Sequence, residues 1–132
     1  MAFHALSCLS QETSSGRAGL AVARAIRDGF GQEPLRAVIV YATVNHDQGA
    51  LLRGLREGLG PGVALVGCSG QGVMTNNSVL ESGFAVAAMG LGGAGLRAAA
   101  AHAEDVNVEG AAKGRSLTRS LADMMDGTPS GM

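Results

Sequence analysis

The side chains best suited to chemistry lie in two short segments near the middle of the chain. One is Asn45-His46, and the other is the run Gly-Cys-Ser-Gly-Gln-Gly at residues 67–72. Glycines remove side chains where a ligand could approach and permit left-handed turns. Successive N–H groups in such a turn form an anion site without a cationic side chain. With the Ser69 hydroxyl, this pattern predicts a binding loop for a carboxylate or phosphate, although a tight turn beneath a helix would need the same glycines.

Glu81 adds a carboxylate just before an apolar run. It could accept hydrogen bonds from the ammonium group of an amino acid while the glycine-rich segment holds the carboxylate of that amino acid. A solvated loop acid, or an ion pair with Arg36 or Arg97, is the simpler alternative. The predicted ligand-binding residues are Asn45, His46, Gly67, Cys68, Ser69, Gly70, Gln71, Gly72 and Glu81.

Cys68 suggests a different chemistry, that of a thiol enzyme. A cysteine nucleophile needs a neighbouring base or cation that lowers its pKa, and His46 is the candidate base. No sequence signature links the two residues, and most such cysteines are small buried apolar residues. We therefore predict a protein that is not an enzyme and has no catalytic residue, and we keep the thiol enzyme as an alternative.

The sequence predicts neither a metal site nor a cofactor. Its two cysteines and three histidines do not fall at metal-ligand spacing. The glycines at 67, 70 and 72 stand in the wrong order for the dinucleotide motif G-x-G-x-x-G.

Hydrophobic periodicity predicts the elements that position these residues. Continuous apolar runs predict strands over 3–9, 35–43 and 63–68. A helix with Ser14 or Ser15 as its N-cap precedes the second strand, and a helix capped by Asp47 precedes the third. The runs 83–91 and 96–103 flank Gly92-Gly93 and predict a hairpin. A last amphipathic helix carries Leu117, Leu121, Met124 and Met125 on one face.

This order predicts one α/β domain over residues 1–132. Its mixed sheet has a βαβαβ parallel core, followed by an antiparallel hairpin and a C-terminal helix. Ligands collect at the carboxyl ends of parallel strands. The loops that follow Thr43 and Cys68 should therefore emerge at the same edge of the sheet.

Composition narrows the function classes. The 10 basic and 11 acidic side chains leave a formal charge of −1, without the basic stripe that nucleic acids require. No apolar run approaches the ~20 residues that span a bilayer. Two cysteines and the lack of a recognisable signal peptide predict reduced thiols and a cytoplasmic protein.

The segment Gly67-Cys68-Ser69-Gly70-Gln71-Gly72-Val73, followed by Glu81 and an apolar strand, resembles the N-terminal FIST module. The preceding strand AVIVYAT and the Leu-rich helix after it resemble that family too, over roughly residues 3 to 125. The resemblance implies a sensory domain of a signal-transduction protein that binds small ligands such as amino acids. It also implies a C-terminal continuation and a companion C-terminal FIST module, both absent from this chain. The expected partner is that companion module or a signalling protein.

Three functions follow as hypotheses. The first is a sensor that binds an amino acid or small carboxylate in the crevice between the Asn45 and Ser69 loops. The second is the thiol enzyme that uses Cys68. The third is a structural or assembly domain that associates with itself through its last helix or its open sheet edges.

Overall fold

The computed structural model describes residues 3–126, which form two compact units that divide between Leu96 and Arg97. Within the described residues, the first unit contains a four-stranded sheet, two helices and a hairpin, and the second contains one helix. In chain order the elements are β1 (His4–Ser10), α1 (Ser15–Phe30), β2 (Leu35–Thr43), α2 (Gln48–Leu59), β3 (Ala64–Gly70), β4 (Val73–Met74), β5 (Val79–Leu80), β6 (Val86–Gly92) and α3 (Gly110–Asp126). The predicted class is confirmed: a mixed α/β sheet, an antiparallel hairpin and a C-terminal helix.

The main sheet has the strand order β1-β6-β2-β3. β3 pairs parallel to β2, whereas β6 pairs antiparallel to both β1 and β2. The strands β1, β2 and β3 therefore run in one direction, but β6 lies between the first two. The predicted parallel core is therefore interrupted, because the connection through α1 skips one strand position and β6 fills it.

The hairpin forms at a different place from the one predicted. Both edges of β6 are occupied by β1 and β2, so β6 offers no free edge to residues 96–103. Those residues form no strand, consistent with the poor strand propensity of their alanines. The hairpin instead joins β4 and β5, closed by a hydrogen bond of 2.8 Å from the Thr75 N–H to the Ser78 carbonyl.

The predicted starts of the first two helices are confirmed, but only Asp47 caps through its side chain, since the Ser14 side chain makes no capping hydrogen bond within residues 3–126. Ser14 precedes α1 in an extended conformation, and Asp47 precedes α2. The Asp47 carboxylate accepts a hydrogen bond of 2.9 Å from the Ala50 N–H, which satisfies one of the unpaired amides at the start of a helix.

The core lies between one face of the sheet and the helices α1 and α2. Its largest fully buried side chains are Ile26, Leu55, Leu59, Val22, Val38 and Val86. A smaller buried cluster of Val73, Ala85 and Ala87, packed with Leu9 and Leu80, lies on the opposite face, beneath the β4–β5 hairpin. That face is covered only in part: Tyr41 is 50% exposed and Val66 is 53% exposed.

The described part of the second unit consists of α3 and the segment that leads into it. The Lys113 ammonium donates hydrogen bonds of 2.8 Å to the carbonyls of Glu104 and Asp105 and so ties the segment to the first turn of the helix. Leu117, Leu121 and Met125 are half-buried, and Met124 is 50% exposed. None of the helices within residues 3–126 combines the length and hydropathy that crossing a bilayer requires.

Candidate functional site

The ends of β2 and β3 lie side by side, as the sequence predicts. Thr43 is paired with Gly70 in the parallel ladder. The Val44 N–H, just beyond the end of β2, donates a hydrogen bond of 3.0 Å to the Gly70 carbonyl. The segments that carry Asn45 and Gln71 therefore leave the sheet at the same edge.

The glycine-rich segment is a strand over most of its length, and this corrects the prediction of an anion-binding turn. Residues 67–70 belong to β3, and none of Gly67, Gly70 and Gly72 has a positive φ. A Cβ on Gly67 would overlap the Val40 carbonyl oxygen and lie 2.7 Å from Val40 Cγ1. Gly67 thus allows β3 to approach β2 closely, and the left-handed turn that would present successive amides does not form.

The backbone groups of β3 are divided between β2 and the open edge of the sheet. The Gly70 carbonyl points towards β2, since it accepts from Val44. Successive residues of a strand direct their backbone groups to alternate sides. The backbone N–H and C=O of Cys68 therefore also point towards β2. Those of Gly67 and Ser69 point to the open edge of the sheet.

Asn45 takes part in a network that fixes the end of β2, and Thr43, which the sequence analysis missed, is its centre. The buried Thr43 hydroxyl accepts a hydrogen bond of 3.1 Å from the Ala85 N–H and donates one of 2.6 Å to Asn45 Oδ1. Asn45 Nδ2 donates to the Gly83 carbonyl at 3.1 Å. Both polar atoms of the Asn45 side chain are thus engaged in holding the segment before β6 against β2. The position of Thr43 at a strand end, two residues before Asn45, was a signal for such a network.

His46 is buried between the N-termini of α1 and α2. Its Nδ1 lies 2.9 Å from Ser15 Oγ, which also accepts a hydrogen bond of 3.0 Å from the Asp47 N–H. The imidazole packs edge-on against Phe84, with 5.0 Å between ring centroids. Its Nε2 is buried and has no hydrogen-bond partner within residues 3–126. These contacts link the two helices, and they give His46 partners other than Cys68.

The burial of His46 predicts a loss of stability at mildly acid pH. Burial lowers the pKa of the imidazole below its ordinary value, so the unfolded chain binds a proton more readily than the folded chain does. We expect the contribution of His46 to the free energy of unfolding to be constant above about pH 7.5 and to fall as the pH drops through the ordinary histidine pKa of about 6.5. Urea titrations between pH 5 and 8 measure this effect.

The variant His46→Gln serves as the control for this pH dependence. It keeps a polar side chain of similar reach but does not titrate. The fall in stability between pH 7.5 and 5.5 should be reduced in His46→Gln. An equally steep fall in both proteins would mean that other groups cause it.

Gly67, Cys68 and Ser69 line a groove of about 290 Å³ between β3 and α2. The helix side of this groove includes Gln48 and the half-exposed Leu52. The Cys68 side chain is exposed and lies on the strand beside Tyr41, its partner in the ladder. The groove is therefore mainly apolar on both sides, since Val40 and Leu65 line it from the sheet together with the small residues 67–69.

Gln71, Gly72 and Glu81 line a larger hollow of about 640 Å³ on the sheet face opposite the helices. This volume lies within the range of small-molecule pockets, roughly 300 to 1,000 Å³. The remaining lining residues are Tyr41, Val73, Met74 and Val79. Glu81 follows β5 directly, so the β4–β5 hairpin carries the carboxylate to the rim of the hollow.

A second hollow of about 270 Å³ lies along the same face and shares Tyr41 and Met74 with the first. Ile39 and Met89 line it from the sheet, and Asn76 lines it from the hairpin. The sequence analysis missed Tyr41 and Met74. Tyr41 alternates with the core-facing Val40 and Ala42 on β2, and that alternation was the available signal.

The nine predicted ligand residues thus fall into four groups. Gln71, Gly72 and Glu81 meet at the large hollow, residues 67–69 line the groove beside α2, and Gly70 gives its carbonyl to Val44. Asn45 and His46 line neither cavity and serve the structural contacts described above. Within residues 3–126, no group of three or more His, Cys, Asp or Glu side chains is placed to hold a metal ion.

Comparison with known proteins identifies the family. The model of the FIST N domain matches residues 36–131, well over half of the 132-residue chain. This match begins within β2, so β1 and α1, which the sequence analysis had included in the resemblance, lie outside it. Neither the curated proteins nor the solved structures compared with the chain gave a match.

FIST domains are sensory, ligand-binding domains of signalling proteins, a role that fits a protein without catalytic activity. The matched segment contains every described residue that lines the large hollow: Tyr41 on β2, and Gln71, Gly72, Val73, Met74, Val79 and Glu81 in and around the β4–β5 hairpin. The chain belongs to the FIST N domain family.

Proposed function

We propose that this domain senses an amino acid, bound in the large hollow opposite the helices with its ammonium group at Glu81. The observation that carries the proposal is the composition of the lining. It combines one carboxylate, the Gln71 amide and the Tyr41 phenol with apolar side chains from both walls. Ligand sites commonly combine a mainly apolar wall with a few polar groups of this kind.

The charge of the lining favours a ligand with an amine over a simple carboxylate. Glu81 is the charged residue among the described residues that line the hollow, and no lysine, arginine or histidine is among them. A carboxylate accepts hydrogen bonds from an ammonium group. The face of the Tyr41 ring adds attraction for a cation. The apolar side chain of the ligand would contact Met74 and Val79.

The hairpin gives the site a way to respond to its ligand. β4 and β5 contain two residues each, and their exposed side chains Met74 and Val79 lie on the hollow. A ligand held between Tyr41 and this hairpin would bury both side chains. We expect the companion C-terminal FIST module or another signalling protein to read the resulting change in the hairpin.

Three ligands of matched shape test the proposal: phenylalanine, phenethylamine and 3-phenylpropionate. They share the apolar body and differ in whether they carry the amine, the carboxylate or both. At a concentration one hundred times the dissociation constant, a ligand that binds only the folded state adds about 2.7 kcal/mol to the free energy of unfolding. We expect phenylalanine and phenethylamine to raise the melting temperature and 3-phenylpropionate to leave it unchanged.

The variant Glu81→Gln tests the role assigned to the carboxylate. It keeps the shape of the side chain and removes its charge, so the affinity for phenethylamine should fall at least tenfold by calorimetric titration. Glu57→Gln is the matched control, because Glu57 is exposed on α2, on the other side of the sheet. If neither amine binds, or only 3-phenylpropionate does, the proposal is wrong.

A further inference from the structure

The strand β3 is the part of the sheet with the least cover. It is an edge strand, paired on one side with β2 and, within residues 3–126, with no strand on its other side. The side chains of Val66, Cys68 and Ser69 are exposed, Val66 to 53%. The seven residues Ala64–Gly70 contain no charge and no proline, the features that usually protect a sheet edge from pairing with another chain.

The opposite edge of the sheet, β1, is better protected. Leu6 and Cys8 pack against the core beneath α1. His4 lies 3.6 Å from Glu33 at one end of the strand, and Glu12 pairs with Arg17 at 3.1 Å just beyond the other end. Polar and charged groups therefore flank β1 at both ends, whereas β3 presents a neutral edge.

The backbone of β3 is suited to pairing with an identical strand. Leu65, Gly67 and Ser69 direct their N–H and C=O groups to the open edge, because the alternate residues face β2. In an antiparallel pair of two such strands, a two-fold axis at Gly67 places Leu65 opposite the partner's Ser69. All seven residues then overlap, since Gly67 is the middle residue of Ala64–Gly70.

We propose that two copies of this chain associate through their β3 edges, antiparallel and in register about Gly67. The pairing joins two four-stranded sheets into one of eight strands and satisfies the free backbone groups of both edges. It brings no like charges together, and it places the exposed Val66 side chain against the partner's Cys68. The interface is isologous, so the same neutral strand serves both copies.

Seven residues a side are fewer than the roughly 20 to 30 of a standard protein interface. We therefore expect a weak dimer whose population rises with protein concentration. Sedimentation velocity on the full chain over a hundredfold range of concentration should show this increase. A monomer at every concentration overturns the proposal.

Disulfide trapping tests the register. Val66 and the partner's Cys68 form a non-hydrogen-bonded pair, with Cα atoms about 4.5 Å apart, a spacing that permits a disulfide. With oxidised glutathione as the oxidant, the variant Val66→Cys should give a covalent dimer linked between residue 66 and the partner's Cys68, as mapped by mass spectrometry. Val44→Cys is the control, since Val44 is 56% exposed but lies beyond the end of β2.

Equal cross-linking in the two cysteine variants, or a link between other residues, overturns the proposed pairing. A second variant, Val66→Lys, places a charge at the edge and should abolish the dimer, whereas Val44→Lys should leave it intact. A dimer that survives Val66→Lys lies elsewhere on the chain. Val66 does not line the hollow assigned to the ligand, so failure of the dimer and failure of the ligand proposal are separate results.

Discussion

Replacing Gly54 by alanine is expected to lower the free energy of unfolding of the first unit by about 2 kcal/mol, within the range found for overpacked cores. Gly54 lies in α2, where that helix crosses α1. A Cβ there would overlap the Gly16 carbonyl oxygen and lie 3.0 Å from the Leu20 backbone nitrogen. Backbone atoms cannot move aside as the end of a side chain does, so the two helices would have to separate.

This separation would act on the core as a whole. α1 and α2 together cover the inner face of the sheet, and buried side chains from both helices, among them Ile26 and Leu55, form the core with it. A wider helix spacing loses part of these contacts. The loss outweighs the gain of roughly 1 kcal/mol that alanine brings over glycine inside a helix.

Urea unfolding followed by circular dichroism measures the effect. Gly49→Ala is the matched control in the same helix, because a Cβ there would meet its nearest neighbours at ordinary contact distances, 3.4 Å from Asp47 Oδ1 and 3.5 Å from Arg53. We expect Gly49→Ala to be neutral or slightly stabilising. If Gly54→Ala is equally neutral, the helices are not in backbone contact at this point.

Gly67→Ala is expected to destabilise β3 by a similar amount, about 2 kcal/mol, since the added methyl group has no space. It would overlap the Val40 carbonyl oxygen on β2. The pairing of β2 with β3 would have to loosen around the position where Val40 is opposite Gly67. Hydrogen exchange of the β3 amides that bond to β2 should become faster in this variant, and urea unfolding should occur at lower concentration.

Gly70→Ala is the control for this second prediction. It lies three residues further along the same strand, and an added Cβ would meet only the Gly72 carbonyl oxygen, at 3.6 Å. We expect Gly70→Ala to keep the stability of the parent protein. Equal destabilisation by both substitutions would contradict the assignment of Gly67 to close strand packing.

The contrast between these glycines explains why the site was only partly predictable. In the sequence, Gly67, Gly70 and Gly72 look alike, and a run of glycines predicts a turn that presents amides to a ligand. In the structure, Gly67 packs against Val40, whereas a Cβ on Gly70 would have room. Gly72 packs against β5, where an added Cβ would lie 2.8 Å from the Leu80 carbonyl oxygen. The role of each depends on a neighbour distant in the chain.

The sequence by itself determined the elements that depend on local signals. The strand 35–43, the start of α1 after Ser14, the Asp47 cap, and the apolar faces of α1 and α2 follow from periodicity and capping, which act over a few residues. The convergence of the segments after Thr43 and Gly70 also follows, since parallel strands joined by a helix end at one edge.

Only the tertiary structure decided where β6 pairs and where the hollow lies. β6 inserts between β1 and β2 because strand pairing joins residues far apart in the chain, and no local pattern specifies which edge a strand takes. The hollow needs Tyr41 from β2, Met74 from β4 and Glu81 after β5 on one face of the sheet. Their proximity results from the packing of the hairpin on the sheet, which depends on contacts between distant residues.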